Sequence, residues 1–309
     1  MGQIIFLIGK SGTGKTYSMR NFPSDKLFII NVNGKLLSCV RDENGKPNPV
    51  MGVKSVTTDK SDDIIDALKT SIKDGYKSVV IDDYQYTMAN EFMRRSYEKG
   101  FDKFTEIGRH AWDIVNAVRE LPEDIIVYVM SHTDRDDEGN EKIKTIGKLL
   151  DEKICLEGMS TIVLKTNVTD GVYTFLTQNS GKDTVKSPAG MFPSYAIDND
   201  LYYVDSKIRS YYNLGTDFLT DEEMAEIDEI NKREEIEPPK PRSERKRRES
   251  QAEPERKQRK SREQVQSEND LKVANAGLDE ANGAEEVPFE EVKEPELETP
   301  PRRRRVRTE

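Results

Sequence analysis

Apolar residues arrive in short unbroken runs separated by polar or glycine-rich turns. The first, Gln3–Ile8, has the length and β-branching of a strand. Runs at residues 27–32, 78–81 and 125–130 are equally continuous, as in strands covered on both faces. Between them the spacing turns helical. Ile64, Ile65, Leu68 and Ile72 predict a helix over Ser61–Lys73, and further helices are expected over residues 15–21, about 84–99 and 103–121. Residues 33–49 read as a loop rich in Gly, Asn and Pro. Strands alternating with helices predict a parallel sheet. After Ser160 the pattern changes: "TIVLKTNVTDGVYTFLTQN" is two strands around Asp170-Gly171, a hairpin signal. The expected fold class is α/β, a mostly parallel sheet flanked by helices with an antiparallel hairpin at one edge.

Composition divides the chain. Of 309 residues, 34% are charged and 34% hydrophobic, too polar for one folded body of that length. The break lies near Thr216. Residues 231–309 hold 20 basic and 20 acidic residues and one aromatic, Phe289, so the net charge of −10 falls on the part before them. Such a segment buries too little apolar surface to offset its ordering entropy. The organisation expected is a domain over residues 1–215, a connecting helix or linker over 216–232, and a disordered charged tail over 233–309. There is no run of about 18 apolar residues to cross a membrane and no signal-peptide pattern. Cys39 and Cys155 stand in no metal or C-x-x-C spacing and read as reduced thiols. A cytoplasmic protein is expected.

The candidate chemistry begins at Gly9-Lys10-Ser11-Gly12-Thr13-Gly14-Lys15-Thr16, which fits G-x-x-x-x-G-K-[ST] in full. The glycines let successive N–H groups curl toward one anion, and a following helix would add its positive end. Lys15 is expected to bridge the β- and γ-phosphates, and Thr16 to place its hydroxyl on Mg²⁺. A second apolar strand ends in Asp82-Asp83. Asp82 is the metal candidate, through water, and Asp83 the candidate to polarise the attacking water, with a helix N-cap as its alternative. The third strand ends "VYVMSHTD", which brings Ser131 or His132 beside the other strand ends. A polar residue there can sense the γ-phosphate, and an ordinary structural histidine is the alternative reading.

Several classes of nucleotide protein fit less well. No N-K-x-D motif reads guanine, and no LSGGQ-type signature is present. A small-molecule kinase needs a lid with several arginines, and the region after Met130 offers Arg135 alone. The combination of "LIGKSGTGKTYSMRNFP", "VVIDDYQYTMANEFMRR", "GFDKFTEIGRHAWDI", "SHTD", "KTIGKLLDEKICLEGMSTIVLKT" and "FLTQNSGKDTVKSPAGMF", across residues 1–212, resembles the P-loop ATPases of RecA-like/AAA type encoded in tailed-phage genomes. That resemblance implies a RecA-like sheet, ATP with Mg²⁺, a homo-oligomer, and a role in phage DNA replication, recombination or single-strand annealing. It does not extend to the tail.

One departure from the family pattern stands out. RecA-like enzymes commonly place a catalytic Glu at the end of the second strand, where "LFIINVNGK" has Asn31 and Asn33. An amide orients water but accepts no proton, so the role passes to Asp83 or ATP acts as a clamp. The resemblance also makes Lys186, in "DTVKSPAGMF", a candidate finger to a neighbour's γ-phosphate, with Arg94, Arg95 and Arg109 as alternatives. Expected partners are single-stranded DNA or replication proteins. Basic clusters at Arg245–Arg248, Arg256–Arg262 and Arg302–Arg305 could hold nucleic-acid backbone, or be cancelled by the interleaved Glu. Phe289 in "EEVPFEEV" resembles the acidic Pro-Phe tips that single-strand-binding proteins use to recruit partners, except that those lie at the extreme C-terminus and this one is internal, and plain disordered acidic sequence is the alternative reading. The alternative functions are an ATP-binding switch that recruits partners through the tail and, third, a small-molecule kinase.

Overall fold

The computed structural model describes residues 1–37, 53–147 and 149–238. Cys39, Phe289 and the three basic clusters lie outside them. Eight strands form one sheet: β1 (Gln3–Ile8), β2 (Leu27–Asn31), β3 (Lys54–Thr57), β4 (Ser78–Asp82), β5 (Ile126–Ser131), and, after the two-stranded ribbon β6 (Thr133–Arg135) and β7 (Glu141–Ile143), β8 (Ile162–Thr169), β9 (Val172–Leu176) and β10 (Ala196–Asp198). Their order is β10-β9-β8-β1-β5-β4-β2-β3. From β8 to β3 every pairing is parallel, and β9 pairs antiparallel with both β8 and β10. This is the α/β class that the sequence pattern and the resemblance led us to expect. The carboxyl ends of β1, β4 and β5 stand side by side, because β5 lies between the other two.

The continuous apolar runs are explained by cover on both faces. Phe6 and Ile8 of β1 pack with helices α1 (Ser61–Lys73) and α3 (Asp102–Arg119) through Ile64, Leu68, Ile107 and Ile114. Ile5 and Leu7, pointing the other way, meet Met19 and the helix α4 (Leu201–Tyr212) through Leu201, Val204 and Ile208. The hairpin turn falls where expected. Asp170 (φ 51°) and Gly171 (φ 80°) both take the left-handed conformation that a two-residue hairpin loop demands.

The segment after the phosphate loop differs from expectation. It is a six-residue 3₁₀ helix, Thr16–Asn21, rather than an α-helix from residue 15. Phe22 precedes Pro23 and is held extended at φ −71°, ψ 128°, as residues before proline are, which leaves no length for a regular helix. A helix dipole therefore adds little to this site. Helix α2 (Gln85–Arg94) is also shorter than the pattern suggested. The edge strand β3, the ribbon β6–β7, β10 and α4 have no counterpart in the sequence reading. Residues 221–231 form helix α5, opened by a capping box between Thr220 and Glu223. Its Met224 is buried with the α4 face, inside a compact unit that spans Met1–Lys240.

At the amino ends of the strands, opposite the phosphate loop, Asp205 of α4 is buried. It accepts hydrogen bonds from Ser78 Oγ (2.8 Å), Tyr128 OH (2.9 Å) and Arg209 Nε (2.7 Å), fastening α4 to β4 and β5. No helix among the described residues is long and apolar enough to cross a membrane.

Candidate nucleotide site

The loop between β1 and the 3₁₀ helix is built by its glycines and held by hydroxyls. Gly14 has φ 96°, and a Cβ there would stand 2.7 Å from the Tyr173 ring. Gly12 also takes a left-handed conformation, at φ 79°. Thr13 Oγ1 donates to Lys10 O (2.7 Å) and accepts from Thr166 Oγ1 of β8 (2.5 Å), which also lies 3.3 Å from Ile8 O. Gly9 N donates to Ser131 O (3.2 Å), joining the loop to the end of β5. Lys10 and Ser11 are exposed.

The loop opens on a cavity of about 640 Å³ lined by Lys15, Thr16, Asp83, His132, Tyr17 and Tyr173 among others, a size suited to a small-molecule ligand. Lys15 is buried, and its amine donates to Gly9 O (2.7 Å) and Lys10 O (2.9 Å). Burial draws its pKa down to about 8 against the opposing charges of Asp83 and Asp82. Thr16 Oγ1 lies 3.0 Å from Asp82 Oδ2. Asp82 is fully buried, and burial, followed by the neighbouring charge of Asp83, pushes its carboxyl up to about 6.

Asp83 turns the chain sharply at φ 63°, a left-handed position rare for a side chain other than Gly and typical of strained functional turns. It is not a helix cap: α2 begins after Tyr84, with no side-chain cap bond. Its Oδ1 stands 3.6 Å from His132 Nε2, and its Oδ2 2.5 Å from the amine of Lys35. Burial and the charge of Lys15 lower the His132 pKa against the charge of Asp83, which favours the neutral ring. Gln85, the first residue of α2, accepts from His132 N (3.1 Å) and Ser131 Oγ (3.3 Å). Gln85 Nε2 and Asn31 Oδ1 are buried with no hydrogen-bond partner among the described residues.

The structure thus gathers Gly9 through Thr16, Asp82, Asp83 and His132 at the ends of three adjacent strands. Lys186 lies apart from them. Its backbone pairs with Val163 near the amino-terminal end of β8, and it does not line the cavity. The alternative arginines are engaged within their own chain: Arg94 with Asp59, Arg109 with Asp113, and Arg95 with Glu91, Glu98 and Glu106. Of the aromatic residues at helical spacing after Asp83, Tyr84 is core and Tyr86 and Phe92 pack against it, while Tyr97 is exposed.

Sequence reasoning missed Lys35, Gln85, Tyr17 and Tyr173. The last two rings meet at 5.6 Å beside Gly14, with the Arg20 guanidinium 4.5 Å from the Tyr17 ring centre. Lys35 follows the glycine of "NVNGK", and a lysine just beyond a strand end at the site was the one available signal.

A phosphate loop, a buried lysine and a hydroxyl–carboxylate pair that joins the ends of β1 and β4 define a P-loop NTPase site. A family model described as an AAA domain matches residues 1–188, and the chain belongs to that family. None of the curated proteins matches it significantly. Among solved structures, a KaiC-like protein, PH0186 of Pyrococcus horikoshii OT3, is similar at 13% identity and TM-score 0.34, over 57% of this chain and 77% of that one. A DnaB-like replicative helicase, solved with its interactions with primase, aligns at 10% identity and TM-score 0.39, over 64% and 55%. The genome-packaging NTPase B204 of Sulfolobus turreted icosahedral virus 2, in complex with ATP-gammaS, aligns at 13% identity and TM-score 0.30, over 55% and 76%.

Proposed function

We propose that the protein is a Mg²⁺-dependent ATPase that acts in phage DNA replication, recombination or single-strand annealing. The observation that carries the ATPase reading is the contact between Thr16 and Asp82 at 3.0 Å, with Lys15 in the loop beside them and Asp83 next in the chain. Two hard oxygen donors at one point suit Mg²⁺, held directly by Thr16 and through water by Asp82. Bound there, the ion would supply charge neutralisation at the phosphate oxygens.

Lys15 exchanges the carbonyls of Gly9 and Lys10 for the β- and γ-phosphates. Asp83 is the water-activating group: the water oxygen forms a bond to the γ-phosphorus, the bond to the β-phosphate oxygen breaks, and the water proton passes to Asp83. The neutral His132, 3.6 Å from Asp83, and Gln85, with its unengaged Nε2, orient that water or the γ-phosphate. Lys186 serves in trans, at a neighbouring subunit of a homo-oligomer. Its position away from its own chain's loop is compatible with that role.

The DNA role and phage origin rest on the motif resemblance across residues 1–212, and single-stranded DNA and replication proteins are the partners it implies. The test is ATP turnover with and without single-stranded DNA, for wild type and Lys15→Ala. Hydrolysis that DNA stimulates and Lys15→Ala abolishes supports the reading. Turnover without any DNA binding at low salt favours a switch that recruits partners. That second reading draws on Asn31, an amide where a proton acceptor would speed hydrolysis. Phosphate transfer to a nucleoside would indicate the kinase instead.

A further inference from the structure

The geometry points to Lys35 as a second phosphate-binding cation, which leaves Asp83 for the terminal phosphate of a bound nucleoside triphosphate. The inference rests on the nucleotide-site reading above and deepens it. Lys35 lines the same cavity as Lys15 and Thr16. Its amine is 2.5 Å from Asp83 Oδ2, an ion pair at hydrogen-bond distance. The Lys35 side chain is 46% exposed while that of Asp83 is 2% exposed. The lysine therefore reaches into the site on a flexible stem, and the carboxylate is fixed. Burial opposes the charge on Lys35, and contact with Asp83 and the charges of Asp83 and Asp82 more than reverse this, so the amine stays protonated.

The approach of Lys35 is organised by the residue that departs from the family pattern. Asn31 ends β2 in register with Asp82, and its Nδ2 donates to Lys35 O at 2.7 Å. Gly34, at φ 63°, makes the turn between them. A glutamate at residue 31 has no N–H to donate to that carbonyl and would add a third carboxylate beside Asp82 and Asp83. The amide thus positions a lysine where the usual pattern has an acid. A lysine paired with the proposed base is counterproductive unless something removes it. A terminal phosphate carries more charge than a carboxylate and offers three oxygens, so it competes for the ammonium. A diphosphate lacks that group. Triphosphate, but not diphosphate, then draws Lys35 away and leaves Asp83 facing water.

The test is calorimetric titration of the full chain, with Mg²⁺, using ATPγS and ADP as probes. Lys35→Ala is expected to weaken ATPγS about tenfold or more and ADP less than about threefold, with Lys35→Arg keeping most of the affinity. Asn31→Ala, which leaves Lys35 present but unpositioned, is expected to shift the ATPγS-to-ADP ratio in the same direction, a change that a merely structural loss would not make. Equal weakening of both nucleotides, or no change in either, overturns the role of Lys35. Wild type that binds neither nucleotide, or that binds both undiminished in Lys15→Ala, overturns the nucleotide site itself. Retained ADP binding also reports that each variant is folded.

Discussion

The Thr16 hydroxyl meets the Asp82 carboxylate at 3.0 Å across 66 residues of sequence, joining the phosphate loop to the end of a strand two places away in the sheet. If this pair holds Mg²⁺, Thr16→Ala and Asp82→Asn each remove a donor. Turnover is expected to fall by about a hundredfold or more, with part of the loss in Thr16→Ala recovered at high Mg²⁺. Steady-state ATPase assays across a Mg²⁺ titration check this.

Lys15 sets binding against stability. Its amine is charged and buried, so the protein without nucleotide bears a cost that Lys15→Met removes. Because the folded-state pKa is lowered to about 8 from 10.5, the cost is full below pH 8 and is relieved as pH rises to 10.5. Lys15→Met should gain about 1–3 kcal/mol at pH 7, the lower end reflecting two lost hydrogen bonds to carbonyls, and that advantage should shrink between pH 8 and 10.5. Urea unfolding at several pH values measures it, and nucleotide binding should be lost in the same variant.

Asp83 should separate binding from chemistry. Asp83→Asn keeps the shape of the side chain and removes the proton acceptor, so turnover should drop by about a hundredfold or more while nucleotide affinity is retained. Wild-type turnover with intact binding would sink the assignment. The residue also stands at φ 63°, so Asp83→Gly should relieve backbone strain, raising stability by about 1 kcal/mol before the lost ion pair to Lys35 is counted.

Asp205 tests the far end of the sheet. Removing it leaves the Arg209 charge and two hydroxyls without their acceptor. Asp205→Ala should cost about 3 kcal/mol, far more than an exposed acid, by thermal or urea unfolding.

Much of this structure was legible in the sequence because burial on both faces writes itself as unbroken apolar runs. Gln3–Ile8 is one such strand in full, and residues 78–81 and 125–130 lie within a residue of theirs. Asp170-Gly171 marked the hairpin because few residue pairs accept two left-handed positions. The misses have physical causes too. β3 is a four-residue edge strand, mostly exposed, and β6 and β7 have three residues each, so none carries a periodic signal. The phosphate loop was read from its spacing and the helix after it was expected to end at residue 21, but its 3₁₀ form was not foreseen. Lys35 was invisible because nothing in a polar loop says which side chain turns back. Its place is decided by Asn31, a residue noticed only for what it was not.

The hydroxyl contact between Thr13 and Thr166 has a mechanical consequence. Gly9 is packed so closely on β8 that a Cβ would stand 2.0 Å from Thr166 Oγ1, and Gly14 is overlaid by Tyr173 of β9. The loop is thus clamped to the antiparallel edge at both of its ends. It cannot reshape around a ligand without pulling that edge along, and β10, next in line, is bridged through Ile197 to Lys232 just past α5. A chain of contacts therefore runs from the phosphate loop through β8, β9 and β10 to Lys232, just past α5.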